Sequence, residues 1–527
     1  VWGPSGDLWF CQGDGIESRV ETPGGVSSLF QAGVFRLRPD GLVLDGLLDD
    51  FMGPGNPWGV VFDDAGQSLV VDGAGGISFL TPASIPAKRR LRLPRIGKPG
   101  GYCGVECIGA GNWPEAMNGQ FLLGDYKKNQ VSRFRLEDDG AGFKVEFEAP
   151  LLRSAQRNFR PIDVKTGPDG AVYVVDWYNP ITCHQDDFYR HPERDKTHGR
   201  IWRVVPKGKA LPVVDLVGAG TRELLSMLGA EERWTRLKVK QVLRERGVDA
   251  SEVMAWVEAR GEKLTERELF GLVGLGGSGL VERLMGSEDF RLRAYAARVA
   301  GREGDFGLLQ RAASDGHPRV RMEAVLAAGQ IPEARSVLIA AAVAESPMDR
   351  WVEYGFSQAV EHLKRYWVPA LREGELDFGG RGRGFAVVLE KAGSGDLIGE
   401  VREMVGDGEN GTGQRMRLAK SLAVLGGDED VEMILKAELL DAGVVEALGE
   451  KGRPGIDLED VLGRLMDKGE RGAVVLAGKW GVEELRDEVL GLVDGEFRAE
   501  AIGALGDLGG DGVVRVLEGI AVMNMEM

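Results

Sequence analysis

Through residue 206 or so, apolar positions alternate with polar ones in short runs, each opened by a Gly-bearing turn and closed by an acid and further turn formers. A period of two between such turns predicts half-buried β-strands. The copies align by eye. GPSGDLWFCQGDG (Gly3 to Gly15) parallels GPDGAVYVVDWYN (Gly167 to Asn179), with NPWGVVFDDAGQSLVVDGAG (Asn56 to Gly75) and NGQFLLGDYKKNQVSRF (Asn118 to Phe134) between them. The strand-end acids Asp14, Asp72, Asp125 and Asp176 lie 58, 53 and 51 residues apart. A four-stranded antiparallel blade takes about 40 to 50 residues, so this spacing predicts an all-β propeller whose loops converge on one face of a shared channel. Only about four units fit, and the first is entered in mid-blade. The abrupt opening at VWGPSG favours a larger ring missing its first blades over a closed four-bladed one.

After WRVVPKGKALPVV (Trp202 to Val214) the period becomes 3.6, and Leu, Ala, Glu and Arg dominate. SEDFRLRAYAARVAG (Ser287 to Gly301), SDGHPRVRMEAVLAAG (Ser314 to Gly329) and ESPMDRWVEYGFSQAV (Glu345 to Val360) share an acidic or polar start, an Arg and an apolar face. Arg291, Arg319 and Arg350 follow one another at 28 and 31 residues. GQRMRLAKSLAVLGG (Gly413 to Gly427) and GEFRAEAIGALGDLGG (Gly495 to Gly510) continue the theme. Two-helix units of this kind cannot bury their apolar faces alone, so they stack into an all-α, HEAT-like solenoid with Gly at helix C-caps. Such a solenoid offers a curved surface to a protein partner, or it only braces the sheets. The expected organisation is multidomain: propeller blades over 1–206, a linker over 207–215 and helical repeats over 216–527.

Charge and composition narrow the function. Sixty-five Lys and Arg against 82 Asp and Glu give a net charge of -17, with no long basic stretch, which argues against nucleic acid as a partner. Gly 78 at 43% hydrophobic content fits turn-rich folding. No apolar run reaches the ~18 residues of a membrane span, and the start carries neither a basic n-region nor a cleavable apolar segment. The chain begins at Val1 and not Met, so a signal peptide could have stood upstream. All four cysteines, Cys11, Cys103, Cys107 and Cys183, fall in the strand-rich part; they suit either disulfides of an oxidising compartment or buried free thiols. The C-x3-C of Cys103 and Cys107 lacks a second pair and is a poor zinc signal. Without C-x-x-C-H, the chain attaches no covalent haem.

Polar residues concentrate in CHQDDFYRHPERDKTHGR (Cys183 to Arg200), which holds three of the five histidines, His184, His191 and His198, beside Asp186, Asp187 and Asp195. The segment could supply a general base, metal ligands or a channel lining, or knit itself together by ion pairs. His184 and His198 flank the point where the chain leaves and re-enters strands, and are the catalytic candidates. Lys127 and Lys128 follow a strand-end acid, where loops face the channel or form a solvated hairpin tip. Arg160 could present a guanidinium fork to a carboxylate or pair with Asp163 or Asp176. Asp72, Gly73 and Ala74 close a strand in a turn whose carbonyls could bind Ca²⁺, or form an ordinary turn. Trp58, Trp177 and Trp202 sit in strand patterns and are expected to pack between strands.

At these residues the chain resembles a known family. Residues 1 to about 206 are similar to the last blades of the glucose/sorbosone dehydrogenase-like propellers, quinoproteins that bind pyrroloquinoline quinone and Ca²⁺. RPIDVKTGPDGAVYVVDWYNP followed by RDKTHGRIWRV more closely resembles the bacterial membrane-bound dehydrogenase family, in which the propeller precedes HEAT-like repeats and often a c-type haem domain. The resemblance implies that Asn56, in NPWGV, and Lys127 contact the quinone, that the carbonyls at Asp72, Gly73 and Ala74 face Ca²⁺, and that Arg160 is the survivor of an arginine pair. It implies an exported, periplasmic oxidoreductase that takes hydride from a sugar or polyol and passes electrons to a c-type cytochrome. The family's base histidine belongs to an earlier blade. The alternative is a non-catalytic propeller and solenoid that binds a glycan or protein partner.

Overall fold

Among the described residues, fifteen strands precede the first α-helix. A computed structural model describes residues 1–48, 55–73, 76–85, 95–182, 190–207, 209–277, 279–372, 382–393, 397–408, 411–510 and 513. The strands are β1 (Leu8–Gln12), β2 (Glu17–Thr22), β3 (Gly25–Phe30), β4 (Gly33–Arg38), β5 (Val43–Leu48), β6 (Pro57–Phe62), β7 (Ser68–Asp72), β8 (Gly76–Phe79), β9 (Tyr102–Cys107), β10 (Phe121–Asp125), β11 (Gln130–Asp139), β12 (Gly142–Arg153), β13 (Pro161–Thr166), β14 (Val172–Asp176) and β15 (Arg200–Val204). They form antiparallel sheets in the orders β1-β4-β5, β6-β7-β8, β9 to β12 and β13-β14-β15, with β2-β3 as a separate hairpin. Among the described residues the expected four-stranded unit occurs once, in β9 to β12. The β2-β3 hairpin was not signalled by the repeat.

In three sheets the second strand returns beside the first so that its last acid faces the first strand's opening residue: Pro57 opposite Asp72, Tyr102 opposite Asp125 and Pro161 opposite Asp176. Just beyond, each first strand carries a bulge, at Trp58, Gly104 and Ile162. Bulges bend a strand and re-aim a side chain, so the repeat is written in backbone geometry as well as in sequence. Gly104 has φ +62, and a Cβ there would stand 2.7 Å from the Asp163 Cα; the first strands of successive sheets touch at this point. The sheet cores are aliphatic and aromatic, with Trp9 edge-on to Phe62 at 5.6 Å.

The repeat also corrects one acid. Gln12, not Asp14, ends β1, is buried, and donates from Nε2 to the carbonyls of Ile16, Leu29 and Gln31. Asp14 lies exposed in the turn beyond.

The chain divides into two compact units, Val1–Arg365 and Tyr366–Met527. Within the first, helices Arg233–Glu245, Phe290–Glu303 and Pro318–Gly329 bind the sheets through buried arginines. Arg233 pairs with Asp64 at 2.9 Å and donates to the Phe62 carbonyl, and Arg298 donates to the Gly66 carbonyl and to Glu323. Two of the polar helix starts predicted by sequence are caps, Asp289 and His317, which accept first-turn N–H groups; Asp305 caps the helix between them in the same way. Gly304 takes the left-handed C-cap, whereas Gly301 and Gly329 lie inside their helices. In the second unit, helices Gly382–Ala392, Thr412–Leu425, Ala442–Lys451, Arg471–Lys479 and Arg498–Leu508 contact one another in succession, and intervening helices complete each pair. Among the described residues no helix is long and apolar enough to cross a membrane.

Candidate functional site

The openings of β6, β9 and β13 share one end of three adjacent sheets, and the sequence candidates collect there. The Asp72 carboxylate accepts the Asn56 N–H at 3.4 Å. A Cβ at Gly73 would stand 3.2 Å from the Trp58 indole nitrogen and 3.6 Å from the Tyr102 carbonyl, so this turn reaches the next sheet. There the Tyr126 N–H donates to the Gly101 carbonyl, and the Tyr126 carbonyl accepts from Arg160 Nη1 at 2.7 Å in the sheet after. Lys127 is exposed, its ammonium 6.0 Å from the Tyr126 ring centre. Asn56, Asp72, Gly73, Lys127 and Arg160 therefore form a row. Ala74, His184, Asp186, Asp187 and Cys183 lie outside the described residues.

Most charge in the row is directed at the chain itself. Arg160 is buried and donates to the main-chain carbonyls of Asn179, Tyr126 and Pro180. Burial lowers its pKa from the usual guanidinium range, Arg157 adds to this, and Asp176 partly offsets it. Asp176 accepts the main-chain N–H of Arg160 and Tyr178, and its second oxygen takes Arg200 Nε and Trp202 Nε1. Asp125 accepts the Lys128 N–H and lies 3.5 Å from its ammonium. Burial and the Asp125 charge push the Tyr102 hydroxyl up to about 12.

His198 stands apart from the row on an exposed loop. Its side chain is 70% exposed, and Nδ1 lies 2.8 Å from Asp195 Oδ2. Asp195 is held down at about 2 by the Thr197 N–H first and by His198 and further bonds from this turn. His191 accepts the Glu193 N–H. The described part of the His-rich loop thus knits itself together.

Sequence reasoning read Trp58 as packing, yet its side chain is exposed, at 47%. The bulge turns it outward beside Asn56. Trp202 is likewise exposed, under the Arg200 guanidinium at 5.0 Å. Cys11, Cys103 and Cys107 are free thiols; burial raises Cys11 and Cys103 to about 12, too high for a ready nucleophile.

Ca²⁺ takes six to eight oxygens, and among the described residues no group of three His, Cys, Asp or Glu converges. An anionic quinone wants free cations, and Arg160 has spent Nε and both Nη on carbonyls. Lys127 remains an exposed cation of the row, and Ala74, one of the three expected carbonyl donors, lies outside the described residues.

Comparison with known proteins divides along the same lines as the fold. Residues 78–208 match a domain of unknown function, DUF7133, and residues 277–360 match HEAT repeats. No curated protein matches the chain. A crystal structure of glucose dehydrogenase is similar at 19% identity over 39% of this chain and 62% of that one, with a TM-score of 0.25. A second glucose dehydrogenase gives 21%, 33%, 56% and 0.24 in the same order, and a putative oxidoreductase (glucose dehydrogenase) from Thermus thermophilus gives 17%, 39%, 63% and 0.24. The chain spans about three-fifths of the length of these proteins. It is a sheet-rich region of several antiparallel sheets followed by an all-helical region with HEAT repeats.

Proposed function

We propose that the protein is a non-catalytic propeller-and-solenoid scaffold, and that the end bearing Asn56, Trp58 and Lys127 binds a glycan. The exposed Trp58 indole carries the reading: sugar rings present apolar C–H faces that stack on an aromatic plane, while amide and ammonium groups beside it serve the hydroxyls. The acids and Arg160 brace loops and leave Lys127 as the exposed cation of the row. The solenoid supplies rigidity and a surface for a protein partner.

A second reading is favoured by the placement of Asn56, Lys127 and Arg160 on one end of three successive sheets: an exported oxidoreductase of the quinoprotein sugar or polyol dehydrogenase type, with a c-type cytochrome as acceptor. One set of measurements separates the two. The protein is mixed with Ca²⁺ and pyrroloquinoline quinone, and absorbance and dye reduction are followed with an aldose panel; the scaffold reading expects no retained quinone and no reduction. A glycan panel should give binding that Trp58→Ala abolishes with no change in melting temperature. Dye reduction overturns the scaffold reading, and a silent glycan panel overturns the glycan.

A further inference from the structure

At the opposite ends of the same first strands lies a cavity of about 650 Å³, between Val60 to Phe62 of β6, Val105 and Glu106 of β9, Lys165 and Thr166 of β13, and the helix Arg233–Glu245. It lies wholly within the first compact unit. Its size matches a small-molecule site. Trp2, Val60, Phe62, Val105, Trp234 and Leu237 give it mainly apolar walls.

Its lining acids are Asp40, Glu106 and Glu245 and its lining bases Lys165, Arg233, Lys238, Lys240 and Arg244. Lys165 is matched by Asp163 at 3.1 Å and Glu106 at 4.0 Å. Lys240, only 7% exposed, has no such partner: Nζ donates to the Val273 carbonyl at 2.8 Å and lies 3.5 Å from the Tyr295 hydroxyl, which donates to the Pro4 carbonyl. Arg244, also lining the cavity, donates to the carbonyls of Ser5 and Gly274. Glu245 accepts from Gln241, and nearby Arg302 is matched by Asp7. Among the described residues no carboxylate pairs with Lys240 or Arg244. Burial, then the charges of Arg244 and Arg302, hold the Lys240 ammonium well below the usual lysine range. Lys240, buried, and Arg244, half-buried, thus stand side by side at an apolar cavity with only neutral carbonyls and a phenol as partners.

We infer that this cavity binds a small amphipathic carboxylate, its apolar body against Val60, Phe62 and Leu237 and its charge toward Lys240 and Arg244. The anion supplies a counter-charge, and a charge-assisted hydrogen bond is stronger than a neutral one. The inference does not depend on the glycan reading, which concerns the other end of the strands.

Calorimetric titration of the whole chain with octanoate and with 1-octanol tests it. Octanoate is expected to bind at least tenfold more tightly than 1-octanol. Lys240→Met should cost octanoate tenfold or more and leave octanol unchanged. If that variant does not fold, Leu237→Trp decides, because Leu237 is 36% exposed at the cavity wall and the larger side chain displaces both ligands from a folded protein. Absence of octanoate binding, parity with octanol, or octanoate binding unchanged by Leu237→Trp overturns the proposal.

Discussion

Arg319 sets its guanidinium 2.8 Å from the Asp138 carboxylate. The arginine stands in the first turn of a helix and is fully buried; the aspartate is the penultimate residue of β11, beside a hairpin tip. Arg319 also donates to the carbonyls of Ala141 and Gly142 and lies over the Phe143 ring at 3.9 Å. Its approach to Asp138 is close in distance but off the line of its N–H bonds, so that contact is Coulombic. Arg291 reaches the same Asp138 at 2.5 Å, and Arg350 reaches Asp139 at 3.5 Å. The arginine repeated along the helical region is thus one docking device used three times on one hairpin.

Removing the shared acid should therefore loosen the sheets from the helices. Asp138→Ala leaves a buried guanidinium short of its counter-charge and is expected to cost about 2 kcal/mol, discounted because the acid is partly exposed. Arg319→Lys should cost at least as much, since lysine keeps the charge but cannot fork onto two carbonyls or stack on Phe143. Urea melts read both. A change under about 0.5 kcal/mol in each would mean that the hairpin docks by apolar contact alone.

Gly104 offers a sharper test of the contact between sheets. With φ +62 and the Asp163 backbone 2.7 Å from any Cβ, Gly104→Ala should cost about 2 to 3 kcal/mol through strain and overlap. Gly119 has φ +78 but open space around it, so Gly119→Ala should cost only about 1 kcal/mol. Equal losses at the two sites would show that the sheets do not touch there.

These positions show what the sequence can and cannot carry. Alternation and turn residues revealed the strands, and the 3.6 period revealed the helices, because both follow from which face is buried. The Arg291, Arg319 and Arg350 spacing was visible, but its target was not, since an ion pair between segments leaves no local pattern. Aligning the acids puts Asp14 at the end of the first strand, but β1 stops two residues earlier at Gln12, and residue type does not show where pairing ends. The outward turn of Trp58 depends on a bulge, and one extra residue in a strand is invisible in apolar content. Arg160 read as a ligand fork because nothing nearby in sequence shows the carbonyls of Asn179 and Pro180 folding back onto it. The Lys240 cavity escaped altogether; its only trace was a lysine on the apolar face of a helix.

Asp63 links stability to pH. It accepts the Gln67 N–H at 2.6 Å, yet burial outweighs that bond and the fields of Arg319 and Arg233, raising its pKa to about 6. In the unfolded chain the group titrates near about 3.9, so between about pH 4 and 6 the folded state holds a proton that the unfolded state has released. Stability from this group accordingly falls as pH rises through that window and is level above it. Asp63→Asn cannot titrate. The stability difference between wild type and Asp63→Asn, from urea midpoints at pH 4, 5, 6 and 7, should shift against wild type up to pH 6 and then stay constant. A difference independent of pH would place the carboxyl in a more solvated setting.

Asp176 is a heavily bonded strand-end acid, and its replacement distinguishes bracing from ligand binding. Four donors converge on it: the N–H groups of Arg160 and Tyr178, Arg200 Nε and Trp202 Nε1, all between 2.8 and 3.0 Å. Asp176→Asn sets an NH₂ against donors and removes the charge that faces Arg200, for an expected loss of about 2 to 3 kcal/mol. Asp125 accepts fewer and longer bonds, from the Lys128 N–H at 3.2 Å and the Ser132 hydroxyl at 3.5 Å, so Asp125→Asn should cost about 1 kcal/mol. Trp202 reports the difference optically: its indole loses its acceptor in Asp176→Asn, so its emission should change in that variant and not in Asp125→Asn. If Asp176→Asn left stability intact, the acid would be free to serve a ligand, and the bracing role argued for this end of the sheets would fail with it.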